Sequence, residues 1–132
     1  MARVLLADDN PATRLTLQTV LEAGGYRVDS AASAAEAVGL MKESEYELVL
    51  TDLAMEGPES GLKVIEHARM MPYRPATAVV TTWHDTAHTK TGEIPSAEVL
   101  IEPENLPELL GKVARLIGER ASRRVARMVR NA

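Results

Sequence analysis

The sequence predicts an α/β domain: a doubly wound, five-stranded parallel sheet between helices, in three α/β/α layers. Three observations carry this expectation. Short apolar runs of strand length alternate with longer segments of helical period. Capping or turn residues stand at most of the junctions between them. The chain, at 132 residues, fills one compact domain and leaves no room for a second.

The elements follow in order. Arg3 to Ala7 reads as the first strand. Asn10-Pro11 then opens a helix, since Asn suits the N-cap and Pro the first helical position. Leu15, Leu17, Val20 and Leu21 form its apolar stripe, and Gly24-Gly25 ends it. Tyr26 to Ala31 is the second strand. Ser33 followed three residues later by Glu36 is a capping box, which places the second helix at Ala34 to Glu43. The third strand is Glu47 to Thr51. Glu56 to Gly61 is a turn-rich loop, and Leu62 to Met70 is the third helix. Pro72 and Pro75 precede the fourth strand, Ala76 to Thr81. Trp83 to Ser96 has no apolar period and contains Gly92 and Pro95, so any helix there is short or irregular. Val99-Leu100-Ile101 is the fifth strand. Leu106, Leu109, Leu110, Val113, Leu116 and Ile117 then form a stripe that can run on through Val125 and Met128, carrying the last helix past the body.

Composition narrows the class further. No apolar run approaches the roughly 20 residues of a membrane helix, and the first run is too short for a signal peptide, so a cytoplasmic protein is expected. The absence of cysteine excludes disulfides, thiolate metal sites and cysteine nucleophiles. The formal net charge of −4 conceals an asymmetry. Residues 119–132 carry about +4 through Arg120, Arg123, Arg124, Arg127 and Arg130, leaving about −8 for the remainder. The chain therefore divides into a main domain, 1–118, and a basic extension of the last helix, 119–132. The ordinary reading of such a tail is the solvated face of a terminal helix. The functional readings are an anionic membrane surface, nucleic acid or an acidic protein patch. No helix-turn-helix or other DNA-reading module follows, so specific DNA binding is not expected.

The residues that end the strands carry the chemistry. Asp8 and Asp9 follow the first run, Asp52 the third, Thr81 the fourth, and Glu102-Pro103 the fifth. In an open parallel sheet these positions meet at the carboxyl edge, where ligands bind. Crowded carboxylates raise the cost of ionising one another unless a cation sits among them. Mg²⁺ suits an all-oxygen set of this kind. A carboxylate left over from metal binding can attack phosphorus and form an aspartyl phosphate. Asp52 is the better nucleophile, because it stands alone on its strand while Asp8 and Asp9 are paired.

On these residues the chain resembles the receiver domain of two-component response regulators, of flavodoxin-like fold, over about Arg3 to Ile117. The matching features are Val4-Leu5-Leu6-Ala7-Asp8-Asp9-Asn10-Pro11, Gly25 before the second strand, Asp52 with Met55 and Gly61, Thr81 after the fourth strand and Pro103 after the fifth. The resemblance implies a phosphorelay protein whose Asp52 accepts a phosphoryl group from a sensor histidine kinase or phosphotransfer protein. It also implies Mg²⁺ held by Asp8, Asp9, Asp52 and the Ala54 carbonyl, and a Thr81 hydroxyl bonded to the phosphoryl group. Such a protein assists its own phosphorylation, is not a turnover enzyme, and signals through a downstream protein target. A homodimer through the last helix, or docking on a kinase, is the expected use of the tail.

Departures from the family pattern are expected to matter. Glu102 stands where the family has lysine. Two unit charges about 5 Å apart interact by roughly 3 kcal/mol at an effective dielectric near 20, so repulsion in place of attraction costs about twice that if Glu102 points inward. Lys90 or a partner's basic residue can compensate. Thr82 stands where the family usually has a small residue, it and the following Trp83 are expected to narrow the donor's approach, and Val99 replaces the switch aromatic. The alternative reading is a phosphorylation-independent pseudo-receiver acting as a protein-interaction module. Other classes fit less well. A haloacid-dehalogenase-type phosphatase needs Asp-x-Asp, and neither a phosphate-cradling Gly-Lys-Ser/Thr loop nor a dinucleotide fingerprint is present. His84 and His88 have metal-ligand spacing only if their segment is helical.

Overall fold

The computed structural model describes residues 1–53, 55–80, 99–101 and 106–131. Expectations for Ala54, Thr81, Thr82, Trp83, Lys90, Glu102 and Pro103, for the His84–His88 pair and for the segment between the fourth and fifth strands lie outside these residues.

The elements are β1 (Arg3–Ala7), α1 (Pro11–Ala23), β2 (Arg27–Ala31), α2 (Ala34–Glu43), β3 (Leu48–Asp52), α3 (Ser60–Arg69), β4 (Ala76–Val80), β5 (Val99–Ile101) and a last helix, α4 (Leu106–Asn131). The strands form one sheet in the order β2-β1-β3-β4-β5. Every pairing is parallel. Because side chains alternate along a strand, β1 feeds both faces. Val4 and Leu6 pack with Leu17 and Leu21 of α1 and Leu109, Val113 and Leu116 of α4. Leu5 and Ala7 pack with Ala37 and Met41 of α2 and Val64 and Ala68 of α3. Each such buried Leu or Val stabilises the fold by about 2 kcal/mol. The result is the three-layer, doubly wound sandwich expected from the sequence.

Local chemistry sets the boundaries. Asn10 caps α1 through its side-chain oxygen, which accepts from the Ala12 and Thr13 amides at 3.0 and 3.1 Å. Gly25, at φ 96°, supplies the left-handed residue after the helix. The capping box is half as expected. Ser33 Oγ accepts from the Glu36 amide at 3.1 Å, whereas the Glu36 carboxylate reaches the amide of Ala32 at 3.2 Å, one residue earlier than the motif requires. Leu15 is a correction. It is 66% exposed, because the inward stripe of α1 is Leu17, Val20 and Leu21, and a residue two before Leu17 lies about 200° around the helix. Strand β2 starts one residue later than expected, and β3 is shifted by one toward Asp52. Helix α3 starts two residues early, at Ser60, since its first turn is held by β3 rather than by a side-chain cap. The last helix does run past the body, to Asn131, leaving Val125, Met128 and Val129 largely exposed.

Candidate functional site

The acidic residues meet where strands β1 and β3 end. In register, Ala7 lies beside Thr51, so Asp8 leaves β1 next to Asp52 on β3. Asp8, Asp9 and Asp52 each offer a carboxylate oxygen within 4.8 Å of the other two. Their exposures are graded: Asp8 is buried, Asp52 half-buried and Asp9 open to solvent.

Asp8 is held from both sides. Its amide donates to the Ala31 carbonyl at 3.0 Å, extending the β1–β2 ladder by one bond. Its Oδ1 accepts from the Asn10 amide at 2.9 Å, and its carbonyl accepts from Arg14 Nη1 at 2.7 Å. The helix cap and the acidic pair are therefore one construction, with Asn10 both caught by Asp8 and closing α1. Arg14 escaped the sequence reading, although its position in the first turn of α1, just past the acidic pair, was the available signal.

Asp52 is held by the packing beneath it. Gly61, at the start of α3, lies against the end of β3, and its amide donates to the Leu53 carbonyl at 3.0 Å. A Cβ at Gly61 would collide with the backbone oxygens of Asp52 and Leu53. Only glycine lets the helix sit this close. Ser60, also missed from sequence, pins the intervening loop: its Oγ accepts from the Met55 amide at 2.7 Å and donates to the Gly57 carbonyl at 2.8 Å. The Glu56 carboxylate accepts from the Ala34 amide at 3.0 Å, tying the same loop to the positive end of α2.

Three hard oxygen donors so placed fit a small divalent cation. Ligands of an octahedron with roughly 2.1 Å bonds lie roughly 3.0 Å apart when adjacent and roughly 4.2 Å when opposite, so the carboxylates are close to the spacing that one shared ion requires. The exposure of Asp9 leaves room for water and for phosphate oxygens. Of the remaining expected positions, Val99 opens β5 opposite Ala78. Ala54, Thr81, Thr82, Trp83, Glu102 and Pro103 lie outside the described residues.

Comparison with known proteins agrees with this geometry. Residues 4–113 match the family described as response regulator receiver domain. The response regulator receiver protein CpdR of Brucella abortus is 29% identical over 119 residues, covering 89% of this chain and 98% of that protein. Sensory/regulatory protein RpfC of Xanthomonas campestris pv. campestris is 38% identical over 69 residues, 52% of this chain, but the match spans only 9% of that protein's length. Among solved structures, the response regulator protein TrrA of Thermotoga maritima, in complex with Mg²⁺ and BeF, aligns with a TM-score of 0.73 at 30% identity, covering 88% of this chain and 99% of that one. No helix among the described residues is long and apolar enough to cross a membrane. The acidic strand ends, the parallel sheet that joins them and the family match over most of the sequence agree: the chain belongs to the response regulator receiver domain family.

Proposed function

We propose that this chain is a phosphorelay receiver, with residues 1–118 as the receiver, residues 119–132 as an extension of its last helix, and the cytoplasm as its compartment. The observation that carries the reading is the convergence of Asp8, Asp9 and Asp52 within 4.8 Å, at a strand end against which Gly61 lets α3 pack closely. A carboxylate oxygen of Asp52 attacks the phosphorus of a phosphohistidine on a sensor kinase or phosphotransfer protein. The new P–O bond forms as the P–N bond breaks, and the imidazole nitrogen leaves with the bonding pair. Asp8, Asp9, Asp52 and the Ala54 carbonyl would hold Mg²⁺, which would offset the charge gathered around the transferring group. Thr81 bonds a phosphoryl oxygen and couples the site to a downstream protein. The exposed Val125, Met128 and Val129 side of the last helix is assigned to a second copy of the chain. This reading makes the protein a phosphoacceptor that assists its own modification.

The test begins with the metal. Trp83 fluorescence is expected to respond saturably to Mg²⁺, and Asp9→Asn should weaken that response by tenfold or more; an unaltered titration would contradict the assignment. A second reading, the pseudo-receiver, is favoured by one feature, the acid Glu102 at the lysine position. Glu102→Lys is expected to slow loss of the phosphoryl group. An unchanged rate would count against an inward-facing Glu102.

A further inference from the structure

The inward seam of α4 changes chemistry along its length. Leu109, Val113 and Leu116 are buried in the core at steps of four and three residues. The same steps continue through Arg120, Arg123, Arg127 and Arg130. The arginines thus continue the seam that packs inward along the body, with Arg120 and Arg127 half-buried and Arg123 and Arg130 exposed. Arg120 turns back on the body: its Nη2 donates to the Tyr73 carbonyl at 2.7 Å and its Nε to the Arg74 carbonyl at 3.0 Å. Arg124 Nη1 adds a bond of 3.3 Å to Tyr73. These bonds anchor the extension over the loop that enters β4.

Between helix and loop lies a cavity of about 490 Å³, lined by Arg69, Arg74, Arg120, Arg123, Arg127 and Arg130. Arg74 reaches it from a left-handed backbone, φ 43°, a conformation that costs a side-chain-bearing residue free energy unless its surroundings enforce it. Among the described residues no carboxylate lines the cavity or pairs with Arg74, Arg123, Arg127 or Arg130. Glu45 and Glu47 act on Arg120, at the inner end. Partial desolvation, then Arg74, Arg124, Arg123 and Arg130, holds the Arg127 guanidinium below its usual value. Guanidinium groups gathered in this way favour an anion that can bridge them, and their planar forks match phosphate oxygens two at a time.

We propose that this groove binds a small ligand carrying two or more linked phosphate groups, inorganic or attached to a nucleoside. The volume is that of a small-molecule site. The arginines converge on a concavity, whereas a nucleic-acid duplex requires them on an outward face. The groove lies at the entry to β4, the opposite end of the sheet from Asp52, so the ligand and phosphorylation sites are separate.

Calorimetric titration of the full chain, without divalent metal, tests the proposal with inorganic tripolyphosphate, ATP, inorganic phosphate and a 20-base-pair DNA duplex as probes. Tripolyphosphate is expected to bind one to one and far more tightly than phosphate. Arg123→Ala with Arg127→Ala should weaken it roughly 100-fold. Arg127→Lys, which keeps the charge and loses the fork, should give a smaller loss. Arg115→Ala, on the outer face where Arg115 lies 3.8 Å from Glu119, should leave binding unchanged. Circular dichroism of each variant verifies the helix. Tighter binding of ATP would identify a nucleotide ligand, and equal binding an inorganic one; both support the proposal. No saturable binding of either, equal weakening by Arg115→Ala, or binding of the duplex alone would overturn it.

Discussion

The two ends of the parallel sheet have opposite chemistry and reach it by opposite routes. At the carboxyl end, Asp8, Asp9 and Asp52 come from two strand ends in register and are held by backbone contacts around Asn10 and Gly61. At the entry to β4, about one strand length or roughly 15 Å away, the arginines come from α3, a loop and the last helix. The first cluster is part of the fold's own construction. The second is gathered largely on α4, outside the sheet. This difference separates what is general to the fold from what is particular to the chain.

The largest effect is expected at Gly61. Gly61→Ala forces α3 away from the end of β3 and should cost about 3 kcal/mol, together with displacement of Asp52. A melting temperature within a degree of the parent would show that the helix yields more readily than the contact implies. Asn10→Ala removes the α1 side-chain cap while keeping the backbone amide that bonds Asp8, with an expected loss of about 1 kcal/mol in denaturant unfolding. At the other end, Tyr46→Phe deletes the 2.7 Å hydroxyl bond to Asp29 and should cost a similar or smaller amount, about 1 kcal/mol, with no change at the acidic site.

The smallest effect is a pH dependence. The Tyr46 hydroxyl, and after it the opposing effect of burial and then Arg3, leave the Asp29 carboxyl below its usual value. A carboxyl with a lowered folded-state pKa stabilises the fold above its unfolded pKa, and that contribution is lost as pH falls through the folded value. Parent protein should therefore lose stability more steeply than Asp29→Asn below about pH 4. Parallel acid curves would contradict the assignment. Independence of the two ends is the sharper comparison. Arg123→Glu with Arg127→Glu should leave phosphorylation of Asp52 unaltered and shift stability by no more than about 0.5 kcal/mol.

Much of the acidic end was legible in the sequence because strand-end positions and helix caps are local signals. Asp8, Asp9 and Asn10 are contiguous, and Asp52 ends an apolar run whose length places it at the same edge. Ser60 and Glu56 were not legible as positioning residues, because each acts through a loop whose path a turn-rich sequence leaves open. Leu15 misled for a related reason: an apolar residue near a stripe counts toward it until the buried face is known. The basic tail was legible as a helix and as charge. Its facing was not, since Arg69 and Arg74 lie about fifty residues upstream and join it only through the fold.

The central claim, that Asp52 is the phosphoacceptor, is tested most directly by intact mass after incubation with Mg²⁺ and a small acyl-phosphate donor. One phosphoryl adduct, absent without Mg²⁺ and absent in Asp52→Asn, is the expected result. An adduct that persists in Asp52→Asn, or no adduct with either the small donor or a phosphorylated histidine kinase, would contradict it.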